Sequence, residues 1–257
     1  MTDQEYTGSE MSVAAAARHV VDNKVYFVGV GLPMMATALA QRLYAPHITV
    51  IFEGGSIQPV ASTRYMPFSP NDSRSCFKAV ALSSTTDVLT LMQRGHVDYG
   101  FIAGAQIDQY GNVNTSFIGD FRKPKTRLPG SGGANDIASF GKVMILTKHE
   151  KRRFVEKVDF ITSPGNVDAR GRESHGLVFG GPYKVFTDLA EMGYDSKDKR
   201  VTLKALHPRV TIEDVLNKMS FKPNIPTRLE ETKPPTQYEL EFLRQMDPEG
   251  RWVSHPS

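Results

Sequence analysis

The sequence holds one cysteine, Cys76, and one tryptophan in 257 residues. A single cysteine excludes an internal disulfide framework and any zinc cluster built on thiolates. With no basic neighbour in sequence to activate it, Cys76 reads as a small core residue. No apolar run approaches the roughly 20 residues needed to cross a bilayer, so no membrane partner is expected. Charge of one sign is also scarce: 31 basic against 28 acidic residues leave +3, too little to imply nucleic acid. A local basic pocket for an anionic ligand remains compatible with that balance. The opening stretch, "MTDQEYTGSEMSVAAAARHV", has early acids and no Arg-rich targeting pattern. It predicts no signal peptide and a cytoplasmic setting. The histidines lack H-x-x-x-H or similar spacing, and no metal is expected. Internal repeats and low-complexity tracts are absent too.

What is present is an ordinary globular composition, 40% hydrophobic and 23% charged, long enough to bury a full core. Residues 9–22 read as a helix capped by Ser9 or Ser12. "KVYFVGVGLP" reads as a strand ending in glycines, "MMATALAQRLYAP" as a helix closed by Pro46, and "HITVIF" as the next strand. This strand–helix–strand alternation predicts an α/β fold with a mostly parallel sheet and flanking helices. "TTDVLTLMQRGHV" continues as a helix, "DYGFIAGAQID" and "VNTSFIG" as strands around a turn at Tyr110-Gly111-Asn112. "KVMILTKH", "VDFITSP", "GPYKVFTDL" and "RVTLKALHP" read as short strands. "TIEDVLNKM" is a helix, with Thr211 and Asp214 placed as a capping box. One organised domain over 1–220 and a Pro-rich, charged extension over 221–257 are expected.

Several motifs could carry chemistry. Gly29-Val30-Gly31, between a strand and a helix, suits an anion at a helix N-terminus, yet it lacks the third glycine of the dinucleotide fingerprint. Tight packing in a turn explains it as well. "GSGGAN", residues 130–135, can present several N–H groups to an oxyanion or phosphate, or form a mobile loop. "KHEKRRF", residues 148–154, could hold phosphates or be a solvated charged surface. In "VIFEGGSIQP" a buried strand stops at Glu53, followed by Gly54 and Gly55. At the carboxyl end of a parallel strand a side chain faces the crevice where such folds bind ligands. The alternative is a carboxylate that caps the next turn.

Three stretches resemble the B subunit of class I CoA transferases, of the glutaconate CoA-transferase type. They are "YAPHITVIFEGGSIQP", "FIAGAQIDQYGNVNTSFIGDFRKPKTRLPGSGGANDIASF" and "KHEKRRFVEKVDFITSPG". The resemblance runs from about residue 10 to about 220 and is most specific over 101–165. It implies that Glu53 is the catalytic glutamate, forming an acyl-glutamyl anhydride and then a glutamyl-CoA thioester. It also implies that Gly54, Gly55, Gly132, Gly133, Ala134 and Asn135 border the oxyanion and CoA site. The Gly55 and Gly133 amides are the candidate oxyanion donors. Gly29, Gly31, Gly104 and Gln106 are substrate-pocket candidates, and Arg64 or Lys78 could meet a second carboxylate of a dicarboxylic acid. CoA enters as substrate, with no permanently bound cofactor. The implied partner is an A-type subunit, in a heterodimer, a dimer of heterodimers or a larger assembly. Relatives on this fold that decarboxylate or hydrolyse CoA thioesters supply the alternative activity, and a non-catalytic effector-binding module is the remaining one.

Overall fold

The computed structural model describes residues 5–60 and 66–254. The chain forms two compact units, residues 1–101 with 233–257, and residues 102–232. The expected extension is therefore divided, its first twelve residues in the second unit and the rest in the first.

In the first unit, α1 (Gly8–Arg18) starts at Thr7, not at Ser9 or Ser12, which lie inside the helix. The Thr7 hydroxyl accepts the Glu10 N–H while the Glu10 carboxylate accepts the Thr7 N–H, satisfying two donors that a helix start leaves unbonded. Alanines 14–17 are buried, and these small side chains let α1 lie close against α2 (Leu32–Leu43). Strand β1 (Val25–Phe27) precedes α2, and β2 (Thr49–Ile51) pairs parallel to it with Phe27 opposite Ile51. The chain then doubles back into β3 (Ser56–Ile57), antiparallel to β2, and β4 (Ala81–Leu82) adds beyond it. Helix α3 (Thr85–Gln93) leads to β5 (Tyr99–Ile102), which pairs parallel to β1 on its other side. Tyr26 and Tyr99 stack across that pair, with ring centroids 5.0 Å apart.

The sequence reading did not anticipate the helix Gln237–Met246, which completes this unit. Its cap repeats the Thr7 arrangement: Thr236 and Glu239 bond reciprocally. Both capping glutamates are fully buried, and each also meets a cation from the other helix. Arg18 forks onto Glu239 at 2.9 and 2.6 Å, and Arg244 onto Glu10 at 2.7 and 3.2 Å. A buried carboxylate requires such partners, because an unpaired one is strongly destabilising.

The second unit opens with two small ribbons, β6 (Gln106–Ile107) with β7 (Val113–Asn114), and β8 (Phe117–Gly119) with β9 (Pro124–Arg127). Helix α4 (Ala134–Phe140) follows. Its sheet has β10 (Lys142–Leu146) parallel to β11 (Gly181–Phe186), then antiparallel β12 (Ala190–Tyr194) and β13 (Val201–Leu206). Helix α5 (Ile212–Asn217) starts at the expected Thr211–Asp214 capping box, and β14 (Glu230–Glu231) pairs parallel to β13. "VNTSFIG" is two strands because the Asn114 carboxamide accepts the Ser116 N–H at 2.9 Å, a local turn that breaks the ladder. "VDFITSP" adds only an isolated bridge, Val113 to Ser163.

Beneath α5, His149 is buried against Phe154, with Nδ1 3.0 Å from Thr187 Oγ1. Burial pushes its imidazole down to about 4, as do Lys218 and His207, against an opposing pull from Asp188. An unfolded histidine titrates near 6.5, so between about pH 6.5 and 4 the unfolded chain takes up a proton that the folded one refuses. Stability is therefore expected to fall by about 3 kcal/mol as pH drops through that window. Urea midpoints at pH 7.5 and 4.5 will show it, and His149→Gln should flatten the dependence. An unchanged pH dependence in that variant would count against the assignment.

Candidate active site

Glu53 sits at the corner of the turn from β2 to β3. The Gly55 N–H donates to the Phe52 carbonyl at 3.0 Å and the Phe52 N–H to Ser56 O at 2.9 Å, so Glu53 and Gly54 occupy the two central positions. The expected position at the end of a strand holds, but the strand is followed by a tight hairpin. Glu53 is half-buried. Both glycines are required by close backbone. A Cβ on Gly54 would lie 2.3 Å from Pro70 O, and one on Gly55 2.0 Å from Ser83 O. Gly55 also has φ +97°, in the region that favours glycine. Its amide, expected as an oxyanion donor, is occupied by Phe52.

The Gly29–Gly31 turn closes the neighbouring parallel strand, where Val28 N–H donates to Ile51 O at 2.9 Å. Both turns thus lie at carboxyl ends of adjacent strands, the usual ligand edge of an α/β sheet. Gly31 has φ +90°, and its missing Cβ leaves room for the Trp252 ring, whose Cε3 would be 3.1 Å away. The Asp247 carboxylate holds that tryptophan in place by accepting the N–H groups of Arg251, Trp252 and Val253. Gly31 is a packing position. Gly29, by contrast, faces open space: a methyl added there would meet nothing within 4 Å.

In the second unit, "GSGGAN" leads directly into α4. Ser131 organises it: its carbonyl accepts the Ala134 N–H at 3.0 Å and its hydroxyl the Asn135 N–H at 2.9 Å. Two of the amides expected to face a ligand are thus bonded within the loop. Gly132 is exposed at φ +51°, and Gly133 is buried and forms the helix cap.

Residues 9–218 match the family described as Coenzyme A transferase. The chain belongs to the coenzyme A transferase family. It is 38% identical over 245 residues to the B subunit of 3-oxoadipate CoA-transferase from Pseudomonas knackmussii, covering 94% of each chain. To the B subunit of glutaconate CoA-transferase from Acidaminococcus fermentans it is 36% identical, covering 98% of this chain and 97% of that one. The crystal structure of the Acidaminococcus fermentans glutaconate coenzyme A-transferase matches with a TM-score of 0.89 at 35% identity, over 98% of this chain and 100% of that chain.

Within this CoA transferase chain, two of the expected pocket residues are packed or hydrogen-bonded within the second unit. Gly104 is buried, a Cβ there would meet Val113 Cγ1 at 2.4 Å, and its carbonyl accepts Arg153 Nη1 at 2.8 Å. Gln106 is bonded at both ends: Oε1 accepts from Asn114 and the Asp159 N–H, and Nε2 donates to Asp159. The charge run 148–154 is likewise tied up locally, with Glu150 pairing Arg152 and Arg153. Cys76 closes a short 3-10 turn and is only half-buried, since that turn lies near the surface. Lys78 is exposed, its ammonium 5.5 Å from the Phe77 ring centroid, and Arg64 lies outside the described residues. Sequence reasoning missed Arg172. Its buried guanidinium donates to the carbonyls of Ala138 in α4, Gly165 and Phe179, fixing the helix that follows the glycine loop. Among the described residues no group of three or more His, Cys, Asp or Glu could hold a metal ion, and no helix is long and apolar enough to cross a membrane.

Proposed function

We propose that this chain is the B-type half of a two-subunit CoA transferase in which Glu53 is the nucleophile. The carrying observation is the Glu53 carboxylate at the corner of a glycine turn, on the ligand edge of the sheet, in a chain of this family. A carboxylate becomes a competent nucleophile when desolvated beside an activated carbonyl. A Glu53 oxygen attacks the thioester carbon of an acyl-CoA, the C–S bond breaks, and CoA leaves as thiolate. The thiolate then attacks the glutamyl carbon of the resulting anhydride. The C–O bond breaks, the first acid departs, and a glutamyl-CoA thioester remains. A second carboxylate reverses both steps and leaves as the new acyl-CoA, so the thioester is conserved without ATP. Each tetrahedral intermediate needs hydrogen-bond donors. With the Gly55 amide engaged, that role on the turn falls to Gly54. Gly132 and Gly133 are the glycine-loop residues proposed to border the CoA.

The two relatives are named for glutaconate and 3-oxoadipate, both dicarboxylic acids, which supports an acid of that class for this chain. The A-type subunit is proposed to complete the site, in the cytoplasm, as a heterodimer or a multiple of it. The test uses the complex with its A-type partner, incubated with acyl-CoA and no acceptor acid. CoA should remain attached to the peptide spanning 50–59, and borohydride should abolish activity only after that exposure. Transfer without this adduct would overturn the glutamyl mechanism. Loss of carbon dioxide or ring opening would reassign Glu53 as a base.

A further inference from the structure

The turn that carries Glu53 is backed by a loop, residues 68–75, that the proposed chemistry does not use. Pro70 and Asn71 lie directly on Gly54, where a Cβ would meet Pro70 O at 2.3 Å and Asn71 Cα at 3.1 Å. Further along, Ser75 O accepts the buried Ser56 hydroxyl at 2.6 Å, just past the same turn. The loop is stiff in itself. The Asp72 carboxylate accepts the N–H groups of Phe68 and Arg74 at 3.1 and 3.0 Å, and Nε of the Arg74 guanidinium at 2.9 Å. Ser75 Oγ donates to the Asp72 carbonyl at 2.6 Å. Side-chain to backbone bonds of this kind fix a turn's conformation, so the loop moves as one piece.

Phe68 is where that piece is held from outside. Its ring is 52% exposed, yet two guanidinium groups lie over it, with Arg74 Cζ 4.3 Å and Arg251 Cζ 5.0 Å from the centroid. The first belongs to the loop itself and the second to the segment after the helix Gln237–Met246. These two parts of the first unit face one another across a cavity of about 360 Å³. Met66 and Phe68 line it from one part, and Met246, Pro248 and Trp252 from the other. Side chains do not pack across such a space, and the contact of Arg251 with the Phe68 ring joins the two.

Arg251 is well placed to hold the loop still. Its N–H donates to Asp247 Oδ1 at 3.0 Å, its Nε to Glu249 at 2.6 Å, and its neighbour Trp252 is seated on Gly31. The clamp therefore runs from the Gly31 turn, through Arg251 and Phe68, to the Glu53 turn, and ties together the ends of two adjacent parallel strands.

We propose that Phe68 and Arg251 are positioning residues for Glu53: their stacking holds the 68–75 loop against the Glu53 turn and so sets where the carboxylate stands. The assignment rests on reading Glu53 as the nucleophile. A cation over an exposed ring is too weak a contact to decide whether the chain folds. Displacement of a reacting atom by a fraction of an ångström nonetheless slows chemistry, so the loss belongs in kcat and not in KM.

The test compares Phe68→Leu, Phe68→Tyr, Arg251→Gln and the double variant Phe68→Leu/Arg251→Gln, each in complex with the A-type partner. Leucine keeps apolar bulk without the ring, whereas tyrosine keeps the ring, and the exposure of Phe68 leaves room for the hydroxyl. Phe68→Leu and Arg251→Gln are each expected to lower kcat about fivefold or more, with KM for acyl-CoA changed less than about twofold. Phe68→Tyr should keep the wild-type rate. The double variant should lose no more than about what either single one loses, because both remove the same contact. Wild-type kcat in Phe68→Leu, an equal loss in Phe68→Tyr, or losses that multiply in the double variant overturn the proposal. Amide hydrogen exchange needs no turnover, and so separates the clamp from failure of the nucleophile reading. The N–H groups of Phe52, Gly55 and Ser83, bonded to Ser56 O, Phe52 O and Gly55 O, should exchange about threefold or more faster in Phe68→Leu and at the wild-type rate in Phe68→Tyr. Wild-type exchange in Phe68→Leu overturns the clamp whatever the chemistry of Glu53.

Discussion

Glu53→Asp is expected to yield a folded chain that assembles with its partner and turns over at least about 100-fold more slowly. The turn is set by backbone hydrogen bonds from Phe52 and Gly55, neither of which involves the Glu53 side chain. The shorter acid therefore leaves the hairpin intact. It withdraws the carboxylate by one methylene, about 1 Å, and displacement of a reacting atom on that scale lowers rates on the order of 10²-fold. Glu53→Gln should go further, since a carboxamide is no nucleophile, and it should form no covalent adduct with acyl-CoA. Circular dichroism and co-purification with the A-type partner confirm folding, and steady-state transfer gives the rate. Wild-type kcat in Glu53→Asp would remove Glu53 from the reaction.

Gly55→Ala is expected to damage the fold itself, by about 4 kcal/mol or more, on the scale of the largest single-residue losses. Two effects combine there. The backbone has φ +97°, where a side chain is strained, and the added Cβ would lie 2.0 Å from Ser83 O and 2.6 Å from its carbonyl carbon. Neither atom belongs to a flexible side chain. The two segments cannot simply separate either, because Ser83 N–H donates to Gly55 O at 2.9 Å and Ser83 leads into the cap of α3. Chemical denaturation of Gly55→Ala beside Gly29→Ala provides the contrast, since a methyl on Gly29 meets nothing within 4 Å. Similar midpoints for the two variants would show that the turn tolerates the methyl and that its close packing has been misjudged.

The strand–helix–strand rhythm of residues 25–57 is legible from sequence because its apolar runs are bounded by glycines and Pro46. The same holds for Thr211 and Asp214, whose spacing alone specifies a capping box. Glu53 stands out for a related reason: an acid closing an apolar strand before two glycines has few purely structural explanations. Gln106 shows the limit. Its partners, Asn114 and Asp159, lie 8 and 53 positions away, and local spacing carries no trace of such a network. Gly31 and Gly29 look alike in sequence, and only the placement of Trp252 separates the packing glycine from the open one. The helix Gln237–Met246 does carry a local signal, the capping-box spacing of Thr236 and Glu239, but prolines and charges surround it. The partners of its Glu239 and Arg244, namely Arg18 and Glu10, come from the opposite end of the chain.

That arrangement sets an order of synthesis. Residues 102–232 form a unit whose parts are contiguous in the chain, and it can close as soon as it has left the ribosome. The first unit starts earlier yet cannot be finished then. The fully buried Glu10 and the half-buried Arg18 wait for Arg244 and Glu239, and Thr7 Oγ1 waits for the Ser254 carbonyl it meets at 2.8 Å. Until those residues emerge, α1 and α2 expose apolar surface and a carboxylate whose cation has yet to be made. A released chain truncated after residue 232 should accordingly be protease-resistant over the second unit and cleaved within the first.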